Sequence, residues 1–221
     1  MRPNLDRILP LVAPVLGAAL RRQKAARRKM FEELPLARGR VVFLGDSITH
    51  WCQWEDWFPD LPTSNRGISG DTVGEVLTRL DTAIAEPAAV SLMIGTNDLT
   101  GFGRSTDPAD LAQQAGELVG WIREMAPSAP LLLNSVLPRS TYFASRIRDL
   151  NGHFEHVAKQ AGVVWVDLWP TMAADDGSLP RRFTPDGIHL NNVGYRAWVG
   201  VLDPELRAAL GPPTRSADQG G

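Results

Sequence analysis

Short continuous apolar runs recur along the chain, each ending at a glycine or a polar turn and separated by stretches of helical periodicity. Arg40-Val-Val-Phe-Leu44 stops at Gly45, and Ala89-Val-Ser-Leu-Met-Ile94 stops at Gly95. Leu131 to Val136 and Val163 to Val166 read the same way, while Thr63 to Arg66 is a weaker strand leading into Gly67. Unbroken apolar runs of this length predict strands covered on both faces. Between them, Asp71 is placed to cap a helix over Thr72 to Leu80, and Asp107-Pro108 opens another that runs through Met125. Phe143 to Ala161 is closed by Gly162, and Asn191 to Leu210 is the last helix, with Gly200 and Pro204 positioned to divide it. Strands alternating with helices predict an α/β fold of three layers, a doubly wound sheet of five parallel strands with right-handed crossovers. Ligands of such sheets bind outside the carboxyl ends of the strands, where strand order reverses.

Three zones follow from the same pattern. Residues 1–36 form a basic, helical extension, 37–210 the domain, and 211–221 a tail without apolar residues that reads as disordered. Ala18 to Leu34 is the helical part of the extension, rich in Ala, Arg, Lys and Glu. Its cluster Arg21, Arg22, Lys24, Arg27, Arg28 and Lys29 reads as a solvated face; weak contact with an anionic membrane surface is the alternative. The apolar run Ile8 to Leu20 is too short to span a bilayer, and Pro10, Pro14 and the basic cluster behind it favour an uncleaved segment over a signal peptide.

Composition changes this picture little. A formal net charge of -2 over 221 residues gives no reason to expect nucleic acid as a partner. The single cysteine, Cys52, excludes an internal disulfide, consistent with a cytoplasmic chain; export or membrane association through the N-terminal segment is the alternative. A homo-oligomer is compatible with everything above.

Four polar signals fall at the strand ends. Gly45-Asp46-Ser47 follows the first strand, Asn65-Arg-Gly67-Ile-Ser-Gly-Asp-Thr72 the second, Gly95-Thr-Asn97-Asp98 the third, and Thr184-Pro-Asp186-Gly-Ile-His189-Leu-Asn191 the fifth. These groups are complementary. A serine hydroxyl needs a base to become a nucleophile, and histidine suits that role. The imidazole must be held in one tautomer, and Asp186 lies three residues before His189, within reach of Nδ1 on a tight turn. An oxyanion needs preorganised donors, which the N–H groups of Ser47 and Gly67 and the Asn97 amide would supply. Trp51, Arg139 and Tyr142 are candidates to line the substrate site.

In its four blocks and their order, the chain resembles the SGNH hydrolases, also called GDSL esterases and lipases. The matching positions are Ser47, Gly67, Asn97, and Asp186 with His189, and the likeness covers about Arg40 to Trp198. The resemblance implies a flavodoxin-like sheet and a serine esterase acting through an acyl-enzyme, with a small-molecule acyl ester as partner and no metal or cofactor. The Gly-Ile-Ser-Gly-Asp-Thr block is most similar to the branch holding bacterial acylhydrolases and platelet-activating-factor acetylhydrolase catalytic subunits, which implies short acyl groups. Acyl transfer or thioester cleavage with the same triad is the alternative.

Other chemistries are less well supported. A flavin- or nucleotide-binding domain uses the same kind of sheet, but Gly101-Phe-Gly103 lacks a third glycine and no Gly-Lys-Ser/Thr occurs. The Gly-x-Ser-x-Gly elbow of α/β-hydrolases is absent. A non-catalytic binding module is disfavoured by the intact Ser47, Asp186 and His189 set. His153 and His156 have no carboxylate or cysteine partners that complete a metal site and read as solvated or packing residues. His50 has no orienting partner visible in the sequence, and Cys52 reads as buried filler. Trp51, Trp54, Trp57 and Phe58 read as a core-facing stripe, with an acyl-facing wall as the second reading. Asp46 and Asp98 read as loop supports.

Overall fold

The computed structural model describes residues 5–34, 36, 38–101, 103 and 105–212, with side chains from residue 18 onward. Five parallel strands form one sheet in the order β2-β1-β3-β4-β5: β1 is Val41–Gly45, β2 Thr63–Gly67, β3 Ala89–Met93, β4 Leu131–Asn134 and β5 Val164–Val166. The expected α/β sheet is thus the architecture found, and its order reverses between β1 and β3, which opens a crevice at their carboxyl ends.

The continuous apolar runs exist because both faces are covered. Along β1, Val42 and Leu44 face one core and Val41 and Phe43 the other, as side chains alternate across a sheet. The first core is closed by α4 (Val73–Leu77), α5 (Pro108–Met125) and α6 (Thr141–Ala161). The second is closed by the short α2 (Ser47–His50) and α3 (Trp54–Trp57), by α7 (Trp169–Met172) and by α8 (Asn192–Leu210). There the Trp54 ring stacks on Phe43 at 3.7 Å and 3°. One polar network crosses this core: Asn134 donates to the Ser91 hydroxyl (2.9 Å) and the Leu92 carbonyl (3.1 Å), and accepts from Trp198 Nε1 (3.0 Å). Each buried polar atom of that amide is therefore satisfied.

Local expectations are corrected in four places. Thr72, not Asp71, caps α4: its side chain accepts from the Glu75 N–H while Glu75 accepts from the Thr72 N–H, a reciprocal capping box. Asp71 is instead fully buried and paired with Arg79 at 2.7 Å, and α4 ends at Leu77. Gly200 and Pro204 do not divide α8, since Trp198, Leu202 and Leu206 anchor the turns on both sides of them in the core. The N-terminal helix, α1, runs over Leu5–Glu33, so it begins upstream of Ala18.

The fourth correction concerns the basic cluster of α1, which is not simply a solvated face. Lys24 donates to the Gly70 carbonyl (2.9 Å) and to Glu75 (2.5 Å), and Arg27 Nε donates to the Gly67 carbonyl (2.8 Å). Phe31 is buried between the guanidinium groups of Arg27 and Arg66, at 4.9 and 4.8 Å from its ring centroid. Among the described residues no helix is long and apolar enough to cross a membrane. The tail from 213 onward lies outside the described residues, and so does its reading as disordered.

Candidate active site

β1 delivers Asp46 and Ser47 to the crevice. A side chain on Gly45 would overlap the Met93 carbonyl and the Thr49 hydroxyl, so the chain can turn here against β3 only without one. Asp46 then accepts from the Ile48 N–H (2.9 Å) and starts α2, placing Ser47 on its first residue. Ser47 is 6% exposed, and its N–H has no hydrogen-bond partner among the described residues.

The turn before α8 supplies the base. Asp186 Oδ1 accepts from the N–H groups of Ile188 (2.9 Å) and His189 (2.8 Å), leaving Oδ2 at 2.6 Å from His189 Nδ1. His189 Nε2 lies 2.9 Å from Ser47 Oγ, across 142 residues of sequence. With Nδ1–H donating to Asp186, Nε2 is left free to accept the serine proton. Burial pushes the Asp186 carboxyl up, but hydrogen bonds from the His189 side chain and from the His189 and Ile188 N–H groups outweigh it and hold Asp186 at about 2. Trp51 covers the imidazole, its ring stacked on His189 at 4.0 Å and 21°.

The donors around the serine differ from the sequence expectation at one position. Asn97 stands at the end of β3 and donates one amide hydrogen to the Asp71 carbonyl (2.9 Å), which leaves its second hydrogen available. Gly67 does not have a free N–H: it donates to Asn65 Oδ1 at 3.0 Å. The reason for a glycine there is steric, since a Cβ would overlap the backbone of Thr49 and His50 where α2 crosses β2. Gly70 is the residue the sequence reading missed. It is third in a β-turn closed by Asp71 N–H to Ile68 O (3.1 Å), at φ +84°, and its N–H has no partner among the described residues. The second glycine of Gly67-Ile-Ser-Gly70 was the signal that could have found it.

The remaining candidates separate clearly. Trp54 and Phe58 are buried, whereas Trp51 is 50% exposed beside the imidazole, so the stripe divides between core and site. Arg139 donates to the Thr96 carbonyl (3.2 Å) and lines a cavity of about 770 Å³ together with Asp186, Gly187 and Ile188. Burial lowers the pKa of Arg139, against the opposing pull of Asp46 and Asp186. Tyr142 is 80% exposed, its ring set against Phe143 rather than into that cavity. His50 does have a partner: its Nδ1 lies 2.9 Å from Ser69 Oγ and accepts from the Ser69 N–H (3.3 Å). Burial and then Arg27 lower His50 to about 4, so it is neutral near pH 7. Cys52 is buried, and burial with Glu55 nearby raises its thiol well above the usual range. His153 faces Asp149 at 3.8 Å with 43% of its side chain exposed. No group of three metal-ligating side chains occurs among the described residues.

Asp46 and Asp98 support loops, and both are raised by burial. Asp98 accepts from the Val73 N–H (3.3 Å) and sits at about 6. Asp46 is pushed up to about 7 by burial, against the hydrogen bond from Ile48 and helped by Asp71 and Asp98. The folded chain therefore favours protonated Asp46, a contribution to stability present below 3.8 and lost as pH rises through about 7. Asp46→Asn keeps an oxygen for Ile48 and removes that loss. Its melting temperature relative to the parent protein is expected to be more favourable at about pH 8.5 than at about pH 5. Thermal melts at the two pH values check this, and a difference that does not vary with pH refutes it.

A doubly wound sheet with Ser, Asn, Asp and His at its strand ends defines a class of hydrolases, and residues 43–197 match the model of the GDSL-like lipase/acylhydrolase family. The chain belongs to that family and is a hydrolase. It is similar to platelet-activating factor acetylhydrolase IB subunit alpha1 of Bos taurus, 28% identical over 193 residues that cover 82% of this chain and 79% of the relative. Among solved structures it resembles a GDSL-like lipase from Bacteroides thetaiotaomicron (TM-score 0.71, 24% identity, 83% of this chain and 96% of that one). The lipase/acylhydrolase from Enterococcus faecalis shares the fold as well (TM-score 0.67, 20% identity, 80% and 99%).

Proposed function

We propose that the protein is a serine esterase that hydrolyses short-chain, acetyl-like esters through an acyl-enzyme on Ser47. The observation that carries this is the continuous relay from Ser47 Oγ to His189 Nε2 (2.9 Å) and from His189 Nδ1 to Asp186 (2.6 Å). Ser47 Oγ attacks the acyl carbonyl carbon while His189 takes its proton. The carbonyl oxygen becomes an oxyanion facing the Ser47 N–H, the Asn97 amide and the Gly70 N–H, the last in place of Gly67. Collapse expels the alcohol, which receives its proton from His189. Water then repeats the sequence on the acyl-enzyme and releases the acid.

The preference for a short acyl group draws on two supports: the acetylhydrolase name of the relatives and Trp51 standing over His189 at the mouth of the site. Turnover of p-nitrophenyl esters is expected to be highest for acetate and to fall with chain length. A flat or rising profile out to dodecanoate overturns the short-chain part. A screen of acetylated sugars beside the p-nitrophenyl series, with Ser47→Ala as control, addresses the leaving group.

A further inference from the structure

We infer that Lys24 of α1 is a positioning residue for the oxyanion-binding loop, fixing the Gly70–Asp71 peptide and with it the place of the turn that carries the Gly70 N–H. This rests on the esterase reading above and assigns a role to the basic extension, which lies outside the span 43–197 of the family match.

The loop needs holding because its glycine gives it little stiffness of its own. A β-turn with φ positive at its third residue differs from the commoner form, with φ negative there, by a flip of the central peptide, here Ser69–Gly70. Gly70 stands at φ +84° but can adopt either sign at little cost. A flip would turn its N–H away and remove one donor. Such a flip leaves the flanking peptides where they are, so contacts on those peptides fix the place of the turn rather than the sign of φ, and four contacts surround it. On the leading side, the Ser69 N–H is tied to His50 Nδ1 (3.3 Å). On the trailing side, Lys24 Nζ donates to the Gly70 carbonyl (2.9 Å), and Asn97 donates to the next carbonyl, that of Asp71 (2.9 Å). Over the top, the methyl groups of Leu20 lie where a Gly70 side chain would project, 3.0 Å from an ideal Cβ.

Lys24 is itself well fixed. Its side chain is only 13% exposed, bonded to Glu75 (2.5 Å) and within 3.4 Å of Asp71. Both carboxylates belong to the segment that follows Gly70, so the ammonium joins the carbonyl, the buried acid and the cap of α4 at one point. A mostly buried ion pair of this kind is geometrically specific and weakly screened by salt. Arg27 on the Gly67 carbonyl (2.8 Å) and the buried Phe31 set the register of α1 against the loop. The charged cluster thus aligns two donors, Gly70 N–H and Asn97, without touching substrate.

The test compares Lys24→Met, which keeps the aliphatic stem, with Lys24→Arg, which restores a donor. Rates with p-nitrophenyl acetate are expressed per active site, counted by saturating fluorophosphonate labelling, so any unfolded fraction is divided out. Lys24→Met is expected to lower kcat about tenfold with KM within about twofold, as misplacement of catalytic groups does, and to slow fluorophosphonate labelling in parallel. Lys24→Arg should recover most of the loss. Unchanged kcat per site in Lys24→Met, or Lys24→Arg as slow as Lys24→Met, overturns the role of Lys24. Ser47→Ala keeps the two readings apart: if it is inactive while Lys24→Met is fully active, only the positioning role fails. If Ser47→Ala itself turns over normally, the esterase reading fails.

Discussion

Ser47→Ala is expected to reduce kcat with p-nitrophenyl acetate by on the order of 10^4- to 10^6-fold, with the fold intact. Removing the hydroxyl removes the only step that converts one difficult displacement into two easier ones. The residual rate reflects what the remaining donors and the bound geometry achieve on water attack alone. The fold should tolerate the change because among the described residues Ser47 Oγ bonds only to His189, and α2 is started by Asp46 rather than by the serine. Circular dichroism and a thermal melt establish the fold, and the rate is measured at enzyme concentrations high enough to see the residual activity. Loss of covalent fluorophosphonate labelling should accompany the loss of rate. A variant that keeps normal turnover eliminates Ser47 as nucleophile.

Asp186→Asn should come next, with kcat lower by about 10^2- to 10^4-fold and KM little changed. An asparagine oxygen can still accept from the N–H groups of Ile188 and His189, so the turn survives. Its amide nitrogen, facing Nδ1, would donate where the carboxylate accepts. That favours the tautomer protonated on Nε2, which cannot take the proton of Ser47. The lower part of the range reflects a carboxylate side chain that is 46% exposed, where water replaces part of its effect. Because Asp186 is held at about 2, it stays ionised at every pH above about 3. A fall in the activity of the parent protein on acidification above about pH 3 therefore does not come from Asp186. Full activity in Asp186→Asn rules out an orienting role for the carboxylate.

The hydrogen bonds of the site that spacing alone makes legible join residues close in the chain, whereas the Ser47–His189 pair, 142 residues apart, is legible only from the complementary chemistry of the strand ends. Asp186 reaches His189 through a turn of three residues, and its bonds to the Ile188 and His189 N–H groups are equally local. Asp46 starting α2 is likewise a contact over two residues. Apart from Gly67, where a neighbouring side chain takes the N–H, the sequence misleads where separate segments compete for one group. At Gly67 the Asn65 side chain, only two residues away, folds back onto the N–H. Asp71 resembles a helix cap, yet Arg79 claims it from the turn after α4 and Lys24 from α1. His50 found its partner in Ser69, on the strand-end loop beside it. Lys24 read as solvated because nothing in the first 36 residues shows what they pack against.

By itself the sequence determined the class of fold. Its apolar runs can be buried only between two helical layers, and its strand-helix alternation leaves parallel crossovers as the connection. It also determined the inventory of chemistry: one serine, one histidine with a carboxylate three residues ahead, and an asparagine, all at strand ends. The tertiary structure alone decided which N–H groups remain free, which of the three tryptophans after Ser47 stands over the imidazole, and that α1 grips the loop after β2. Periodicity records which face of an element is buried. The partner of a hydrogen bond depends on how elements far apart in sequence come to lie within 3 Å of each other.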